Sequence, residues 1–200
     1  MRRIVVFDNI SADGYFATPD GKLDWVVQDP EIHKASVAQT PQFDTVLFGR
    51  TTYDLFESFW PHALDGSDTA PNPHAAQRSR EMKAMAIMLN EATKYVFSRT
   101  RPQVTWQRAQ LIRELDPRAI EAMKRQPGKD MIVFGSGSIV AQLAQHGLID
   151  EYQLVVNPIL LGAGRPLTAQ LAQLVRLQLL DARSFPSGNV RLRYAPASAG

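Results

Sequence analysis

Short runs of apolar residues recur along the chain and predict the strands of a buried sheet. The four clearest runs lie at residues 3–9, 45–48, 94–98 and 131–134. Near-continuous apolar runs of this length are typical of parallel strands that are covered on both faces. Tyr152, Leu154 and Val156 alternate in a fifth predicted strand, and residues 103–113 indicate another. The pattern predicts a sheet that is mostly parallel.

Capping residues predict helices between these strands. Asp29-Pro30 and Asp116-Pro117 each supply an N-cap followed by proline at the first helical position. The first of these helices is expected to reach about Gln39, and Pro127-Gly128 is expected to end the second. Leu115 and Ile120 are placed to form a hydrophobic staple across the start of the second helix.

Three further helices follow from the spacing of apolar residues. One opens near Gly49, one follows a surface loop at residues 61–73, where Asn72-Pro73 can start it, and one runs from about Ser136 to a C′ residue at Gly147. Their predicted apolar faces are, in the same order, Leu55, Phe56, Phe59 and Trp60; Met82, Met85, Ala86 and Leu89; and Ile139, Val140, Leu143 and Ala144.

The last segment has the pattern of an antiparallel hairpin. Val175, Leu177 and Leu179 alternate with polar residues, and so do Val190, Leu192 and Tyr194. Residues 186–189, Pro-Ser-Gly-Asn, have the composition of a turn between the two strands. Residues 195–200 are expected to fray. The sequence therefore predicts one α/β domain over residues 1–200, with helices flanking a mixed, mostly parallel sheet that a hairpin closes.

Three of the predicted strands run directly into small, polar or basic residues. These are Gly49, Arg50, Thr51 and Thr52; Ser98, Arg99 and Thr100; and Gly135, Ser136, Gly137 and Ser138. Ligands of open α/β sheets bind beyond the carboxyl ends of the strands, where helix N-termini favour anionic oxygens. Arginine adds a cation suited to phosphate. Together the three loops predict a phosphate-rich cofactor along one edge of the sheet.

Each loop taken alone also has an ordinary structural explanation. Thr51 could simply cap a helix, and Arg99 could be a solvated surface residue. The third loop is harder to explain in this way, because two glycines just before a helix are costly unless something approaches the backbone. It matches neither a serine-hydrolase elbow nor a P-loop, and Val140 stands where the Rossmann fingerprint has its third glycine.

Composition excludes several classes of function. Lys and Arg total 22 against 20 Asp and Glu, and no basic run is interleaved with aromatic residues, so nucleic acid is not an expected partner. Cysteine is absent, which excludes disulfides, thiol catalysis and cysteine-ligated metal. The four histidines lack metal-ligand spacing, and no metal is expected. Without a signal pattern or an apolar run of about 20 residues, no membrane partner is expected and a cytoplasmic protein is predicted.

The ordered set of motifs resembles the dihydrofolate reductase-like superfamily. It looks most similar to the reductase domain of the bifunctional riboflavin-biosynthesis deaminase/reductase and to its stand-alone relatives. The resemblance rests on the three loops, on residues 11–15 (Ser-Ala-Asp-Gly-Tyr) and on residues 157–167, and covers about residues 3–195. This sequence departs from the family's pattern at Thr168, where relatives usually carry an aromatic residue, and at Arg101, where an apolar residue is common.

The resemblance implies NADPH as the cofactor. By analogy, Gly49, Arg50 and Thr51 would meet the pyrophosphate, and Ser98 and Arg99 would hold the ribose 2′-phosphate. Residues 135–138 would pass under the pyrophosphate and the nicotinamide ribose. No Asp or Glu that would accept from an unphosphorylated ribose is apparent in residues 98–100.

Each residue predicted to contact the substrate also has a simpler structural explanation. Asp24 would be a substrate-facing carboxylate that assists protonation, or else a plain carboxylate at a helix start. Asp13 would lie near the substrate or form a turn, and Trp25 would be a pocket wall or core residue. Gly162 and Gly164 would border the substrate, with Arg165 a surface residue or a partner for a substrate phosphate.

The leading function implied is an NADPH-dependent reductase that passes hydride to a C=N or C=O group of a pterin or ribosylaminopyrimidine. The resemblance also implies a homodimer. Two alternatives remain open, namely a non-catalytic nucleotide-binding or regulatory protein and a reductase of an unrelated small molecule.

Overall fold

The computed structural model describes residues 1–39, 42–64, 80–169 and 171–197. Its centre is an eight-stranded sheet made of β1 (Ile4–Ser11), β3 (Phe43–Gly49), β4 (Thr93–Phe97), β5 (Ala109–Ile112), β6 (Asp130–Phe134), β7 (Glu151–Asn157), β9 (Leu177–Ser184) and β10 (Val190–Pro196). The order across the sheet is β5-β4-β3-β6-β1-β7-β10-β9. The first six strands in this order are parallel, and β10 pairs antiparallel with both β7 and β9. This confirms the predicted fold class.

Within the described residues, five α-helices connect the strands, and a small second sheet lies beside the main one. The helices are α1 (Pro30–Gln39), α2 (Arg50–Glu57), α3 (Arg80–Glu91), α4 (Pro117–Arg125) and α5 (Gly137–Gln145), with a short 3-10 helix at Trp60–His62. The second sheet pairs β2 (Tyr15–Ala17) with β8 (Arg165–Pro166). Among the described residues, no helix is long and apolar enough to cross a bilayer.

The capping predictions are confirmed at both Asp-Pro pairs. The Asp29 carboxylate accepts from the backbone N–H of Glu31 at 2.7 Å, and Asp116 accepts from that of Arg118 at 2.9 Å. The C-terminus of α5 also follows prediction, because Gly147 has a φ of +63° directly after the C-cap residue His146. These local signals succeed because the capping group and its partner lie within three residues of each other.

The two faces of the sheet bury separate apolar clusters. Ile4 and Val6 of β1 share one face with Ile139, Val140 and Leu143 of α5. Val5 lies on the opposite face, in a cluster with Tyr53 of α2 and Leu89 of α3. Because side chains alternate along a strand, successive residues of β1 reach these two clusters in turn.

Several predicted boundaries differ from the structure. The strand predicted at 103–113 is only Ala109–Ile112, because Arg108 has a φ of +57° and interrupts the extended chain. Ala195 and Pro196 pair with Gln178 and Leu177, so the predicted fraying at these two residues is wrong. In the hairpin, β9 is exposed along most of its length. Most of the loop predicted at residues 61–73, and the helix start at residues 72–73, lie outside the described residues.

Candidate cofactor and substrate site

A cleft of about 990 Å³ opens at the carboxyl ends of β1, β3, β4 and β6. Its volume is at the upper end of the range for small-molecule and cofactor sites. All eleven predicted loop residues line it, which are Gly49, Arg50, Thr51, Thr52, Ser98, Arg99, Thr100, Gly135, Ser136, Gly137 and Ser138. The parallel order of the strands brings these three loops to one edge of the sheet, as the sequence predicted.

The loop after β3 turns directly into α2. Gly49 is the N-cap and makes no side-chain capping hydrogen bond, so the interpretation of Thr51 as an N-cap is wrong. The first N–H groups of any helix lack intrahelical partners, and they provide donors for an anion. The Arg50 side chain is 55% exposed and lies 3.7 Å from the carboxylate of Asp54. Its guanidinium therefore remains accessible from the cleft.

The loop after β6 is built from two consecutive residues with positive φ. Gly135 has a φ of +53° and Ser136 a φ of +59°. The buried Ser136 hydroxyl accepts from the Gly49 N–H at 2.9 Å, while the Ser136 N–H donates to Thr52 Oγ1 at 3.1 Å. A Cβ on Gly137 would lie 3.0 Å from both the Leu167 carbonyl and the Phe16 ring. At Gly137, therefore, parts of the same chain already approach the backbone closely.

The loop after β4 contains two arginines with different surroundings. Arg101 is 19% exposed, bonds to Asp54 and Glu57, and lies 4.7 Å above the Tyr53 ring. Arg99 is 79% exposed, and Glu114 is 3.3 Å away. An exposed ion pair of this kind contributes little, so Arg99 is available to a ligand, whereas Arg101 is a structural residue.

Hydrogen bonds fix the backbone that carries Arg99. The buried Ser98 hydroxyl accepts from the Arg101 N–H at 3.0 Å, and Arg113 donates to the Arg101 carbonyl at 2.6 Å. The same Arg113 nitrogen also reaches the carbonyls of Ser98 and Arg99 at 3.4 and 3.5 Å. The loop is thus ordered before any ligand arrives, although the Arg99 side chain remains solvated.

Aromatic side chains form a wall of the cleft. Phe56 stacks on Phe134 with 5.4 Å between ring centroids, and Trp60 lies 6.1 Å from Phe56. Phe7 of β1 meets Phe134 edge-on at 6.2 Å. Offset and edge contacts of this kind hold the rings in place, and an apolar wall of flat groups suits a planar heterocycle.

Of the described residues, one carboxylate lines the cleft, and it was not among the predicted site residues. Asp8 of β1 is 7% exposed, and its Oδ2 atom has no hydrogen-bond partner. Burial raises the pKa of Asp8 well above its ordinary value, and the Asn9 N–H counteracts this only in part. The signal in the sequence was a charged residue inside the apolar run of β1.

A family model described as the RibD C-terminal domain matches residues 2–191. The chain belongs to the RibD C-terminal domain family. YyaP, an uncharacterized protein of Bacillus subtilis, is 31% identical over 193 residues, covering 96% of this chain and 94% of YyaP.

Solved structures share the fold of this RibD C-terminal domain family member. A putative riboflavin biosynthesis protein from Shewanella sp. PV-4 has a TM-score of 0.71 at 22% identity, covering 98% of this chain and 99% of that one. Dihydrofolate reductase from Enterococcus faecalis, in a complex with NADP(H), has a TM-score of 0.58 at 11% identity, covering 97% and 96%. The predicted dihydrofolate reductase-like fold is therefore confirmed.

The structure separates the predicted substrate residues of this RibD C-terminal domain family member. Asp13, Asp24, Trp25 and Gly162 are not among the residues that line the cleft, whereas Gly164 and Arg165 are. Asp24 is exposed, and the buried indole nitrogen of Trp25 has no hydrogen-bond partner. The cleft thus gathers the cofactor-binding residues predicted from sequence, but leaves most of the predicted substrate residues outside its lining.

Asp13 and the glycines of residues 162–164 have structural roles. The Asp13 carboxylate accepts from Ser11 Oγ at 2.6 Å and from the Gly162 N–H at 2.7 Å, and these bonds lower its pKa. They tie the loop after β7 to the end of β1. A Cβ on Gly164 would lie 2.5 Å from the Ala17 carbonyl, so glycine is needed where β8 packs against β2.

Proposed function

We propose that this member of the RibD C-terminal domain family is an NADPH-dependent reductase of a small heterocycle of the pterin or ribosylaminopyrimidine type. The observation that carries the proposal is the convergence of all three predicted loops on one cleft. Family membership supports a reductase-type function, and solved structures with the same fold include a 5-amino-6-(5-phosphoribosylamino)uracil reductase from Thermotoga maritima and a dihydrofolate reductase.

The donor set of the cleft fits a dinucleotide with an additional phosphate. The first turns of α2 and α5 present backbone N–H groups, to which a pyrophosphate would bind. Arg50 and Arg99 are both exposed cations that line the same cleft. Residues 98–100 contain no carboxylate that would repel a 2′-phosphate or select an unphosphorylated ribose. Arg99 and Ser98 are the residues we assign to the 2′-phosphate.

The nicotinamide, when bound, supplies a hydride from its C4 atom. The protein's own residues align the two rings and exclude water. Phe7, Phe56, Phe134 and Trp60 form the wall against which a flat substrate would lie. The loop from Leu23 to Asp29 that borders the cleft is held firmly, since Asn157 accepts from the Val27 N–H at 2.9 Å and Asn189 donates to the Val27 carbonyl at 3.1 Å.

A nucleotide titration tests the cofactor assignment. We expect NADPH fluorescence to report micromolar binding, much weaker binding of NADH, and about a tenfold loss of NADPH affinity in Arg99→Ala, equivalent to about 1.4 kcal/mol. Arg125→Ala is the matched control, because Arg125 is an exposed arginine with a glutamate 3.2 Å away, on a helix outside the cleft. Absence of binding by either nucleotide would exclude the reductase and the nucleotide-binding protein alike.

Substrate turnover separates the reductase from a non-catalytic binding protein. Dihydrofolate and 5-amino-6-(5-phosphoribosylamino)uracil are the two probes, with oxidation of NADPH as the signal. If NADPH binds and neither probe is reduced, a binding protein or a reductase of another small molecule becomes the better explanation.

We also propose that the chain forms a homodimer through the free edge of β9. This strand ends the sheet, and Leu177, Leu179 and Leu180 are 41%, 52% and 48% exposed. An exposed edge with apolar side chains favours pairing with another chain. We expect light scattering to report a dimer for the wild type and a monomer for Leu179→Lys, while a monomeric wild type would contradict the proposal.

A further inference from the structure

Asp8 lies where β1 and β6 separate. β1 pairs with β6 only from Ile4 to Phe7, but pairs with β7 as far as Ser11. After Phe134 the chain of β6 leaves the sheet at Gly135. From Asp8 onward, therefore, one edge of β1 faces the cleft rather than a neighbouring strand. In an open α/β sheet this kind of separation between strands is where ligands bind.

The side chain of Asp8 is on the face of the sheet that carries α5. Ile4 and Val6 belong to the apolar cluster of that face, and Asp8 is the next residue in the alternation. The loop at residues 135–138 leads into α5 on the same side. Asp8 is consequently next to the loop assigned to the cofactor, and Phe7, which points to the other face, is part of the aromatic wall. Both line the one cleft, so a substrate beyond the end of β6 would have the wall on one side and Asp8 on the other.

Among the described residues, the other buried acids bond to side chains, whereas Asp8 has no side-chain partner. Asp29 caps α1 and accepts from Ser187, and Glu151 bonds to Arg193 and Gln153. Asp8 is 93% buried, since 7% of it is exposed, and its Oδ2 atom has no partner. Burying a polar atom without a hydrogen bond is costly, which points to a ligand as the missing partner.

Among the described residues, no charged side chain explains the raised pKa of the Asp8 carboxyl group. From β7 the residue paired with Asp8 is Leu154, β2 contributes Phe16 and Ala17 to the lining of the same cleft, and the loop after β6 contributes only glycine and serine. The charged residues that line the rest of the cleft are Arg50 on α2, Arg99 after β4 and Arg165 on β8. Burial is the main cause of the raised pKa of Asp8, and none of these arginines contributes to it. A protonated carboxyl group is therefore favoured at higher pH than for an ordinary aspartate.

We propose that Asp8 is the proton donor of the reductase and that it hydrogen-bonds the nitrogen or oxygen of the reducible C=N or C=O group. This inference rests on the proposed reductase function. As the substrate carbon accepts hydride from nicotinamide C4, the π electron pair moves to the nitrogen or oxygen, which takes the proton from the Asp8 carboxyl. NADPH becomes NADP⁺, the substrate gains two electrons and two hydrogens, and water reprotonates the carboxylate.

The test combines three measurements on the full chain. Wild type, Asp8→Asn, Asp8→Glu, Asp24→Asn and the control Glu121→Gln are compared. Glu121 is an exposed carboxylate on α4, outside the cleft. The first measurement is NADPH affinity, and the second is the infrared difference spectrum of wild type minus Asp8→Asn, at pH 7 with and without NADPH. The third is the pH dependence of kcat with dihydrofolate and with 5-amino-6-(5-phosphoribosylamino)uracil.

We expect Asp8→Asn to keep NADPH affinity within about twofold of wild type and to lose about a hundredfold or more in kcat, the usual size of a general-acid contribution. Wild-type kcat should fall as pH rises through the pKa of Asp8, and this alkaline limb should be missing in Asp8→Asn. Asp8→Glu should recover part of the rate. The infrared difference should contain the carbonyl band of a protonated carboxyl group that belongs to Asp8.

Three results would overturn the proposal. They are an ionised Asp8 at pH 7 in the NADPH complex, a kcat for Asp8→Asn within about threefold of wild type, and a rate that depends on Asp24 instead. Failure of the wild type to bind NADPH is a different result, because it removes the reductase function itself. If NADPH binds and neither probe is reduced, the infrared band of the complex decides, since a proton donor must be protonated.

Discussion

Charged side chains differ in their pairing between the two ends of the parallel sheet. At the amino ends of the strands, ionic side chains pair closely. Arg3 lies 2.8 Å from Asp130, Lys124 lies 2.6 Å from Asp150, and Glu151 accepts from Arg193 at 2.7 Å. The Asp150 carboxylate also accepts from the Ile4 N–H at 2.7 Å, which fixes the first residue of β1. At this end, charges are used to hold strands and helices together.

At the carboxyl ends, Arg101 is paired with Asp54 and Glu57, but other charged groups that line the cleft are left available. Asp8 is buried with an unpartnered oxygen, and Arg50 and Arg99 are more than half exposed. A site built for a ligand needs such groups, since their partners arrive with the ligand. The contrast suits the proposed function, in which one end of the sheet supplies stability and the other supplies binding and chemistry.

The largest expected effect is at the amino end. In Glu151→Gln the 2% exposed carboxylate is lost, Arg193 loses the charged partner 2.7 Å away, and Arg3 keeps only its ion pair with Asp130. Breaking a buried ion pair is strongly destabilising, but both arginines are partly exposed, so we expect a loss of about 2–3 kcal/mol in the free energy of unfolding. Urea denaturation at pH 7 measures it, with Glu121→Gln as a control expected to show little change.

NADPH affinity of the same variant sharpens the comparison. Because Glu151 is at the end of the sheet opposite to the cleft, we expect the dissociation constant to match wild type. A variant that keeps its stability but loses NADPH would show that the two ends are not separate in function.

The next effect compares two arginines of one loop. Arg101→Ala removes a cation held between Asp54 and Glu57 above the Tyr53 ring, and should cost about 1–2 kcal/mol of stability. Arg99→Ala should leave the urea midpoint unchanged and weaken NADPH binding. The reverse result, with NADPH lost only in Arg101→Ala and stability unchanged, would make Arg101 the ligand residue.

Local sequence signals predicted much of this structure. Asp29 and Asp116 were identified as caps because the capping bond spans two or three residues. The three loops were found because parallel strands all end at one edge, so a motif after each strand is brought to the same place. The antiparallel hairpin followed from alternation and from the turn at residues 186–189.

Contacts between distant segments were not predictable in this way. The pairing of β2 with β8 joins residues about 150 positions apart and has no periodic signal. Asp24 looked like the substrate carboxylate from its place in the chain, but the loop at residues 23–29 leaves it exposed. Asp8 was overlooked because a charged residue in an apolar run gives no indication of whether a partner is present. Only the structure shows that its Oδ2 atom has none.

The smallest expected effect is a gain in stability in Asp8→Asn. A buried carboxyl group without a partner destabilises the folded protein once it ionises, so we expect this variant to be about 1 kcal/mol more stable than wild type at pH 8. The folded pKa of Asp8 is raised, so its contribution to stability is complete below the ordinary value of 3.8 and is lost as pH rises through the folded pKa. Urea denaturation at pH 4.5 and pH 8 should show the gain growing with pH.

Glu151 is also a buried acid, but its pKa is shifted in the opposite direction to that of Asp8. Burial acts to raise the pKa of Glu151, but the bonds from Arg193 and Gln153 outweigh it and lower the pKa below its ordinary value of 4.5. Its contribution is therefore present above that value and lost as pH falls through the folded pKa. Both differences in the free energy of unfolding should shrink on acidification, because each carboxylate becomes protonated. For Glu151→Gln the wild type should be the more stable protein at pH 8, and for Asp8→Asn the variant should be. If both variants were less stable than wild type at pH 8, Asp8 would be one more structural acid, and the distinction between the two ends of the sheet would fail.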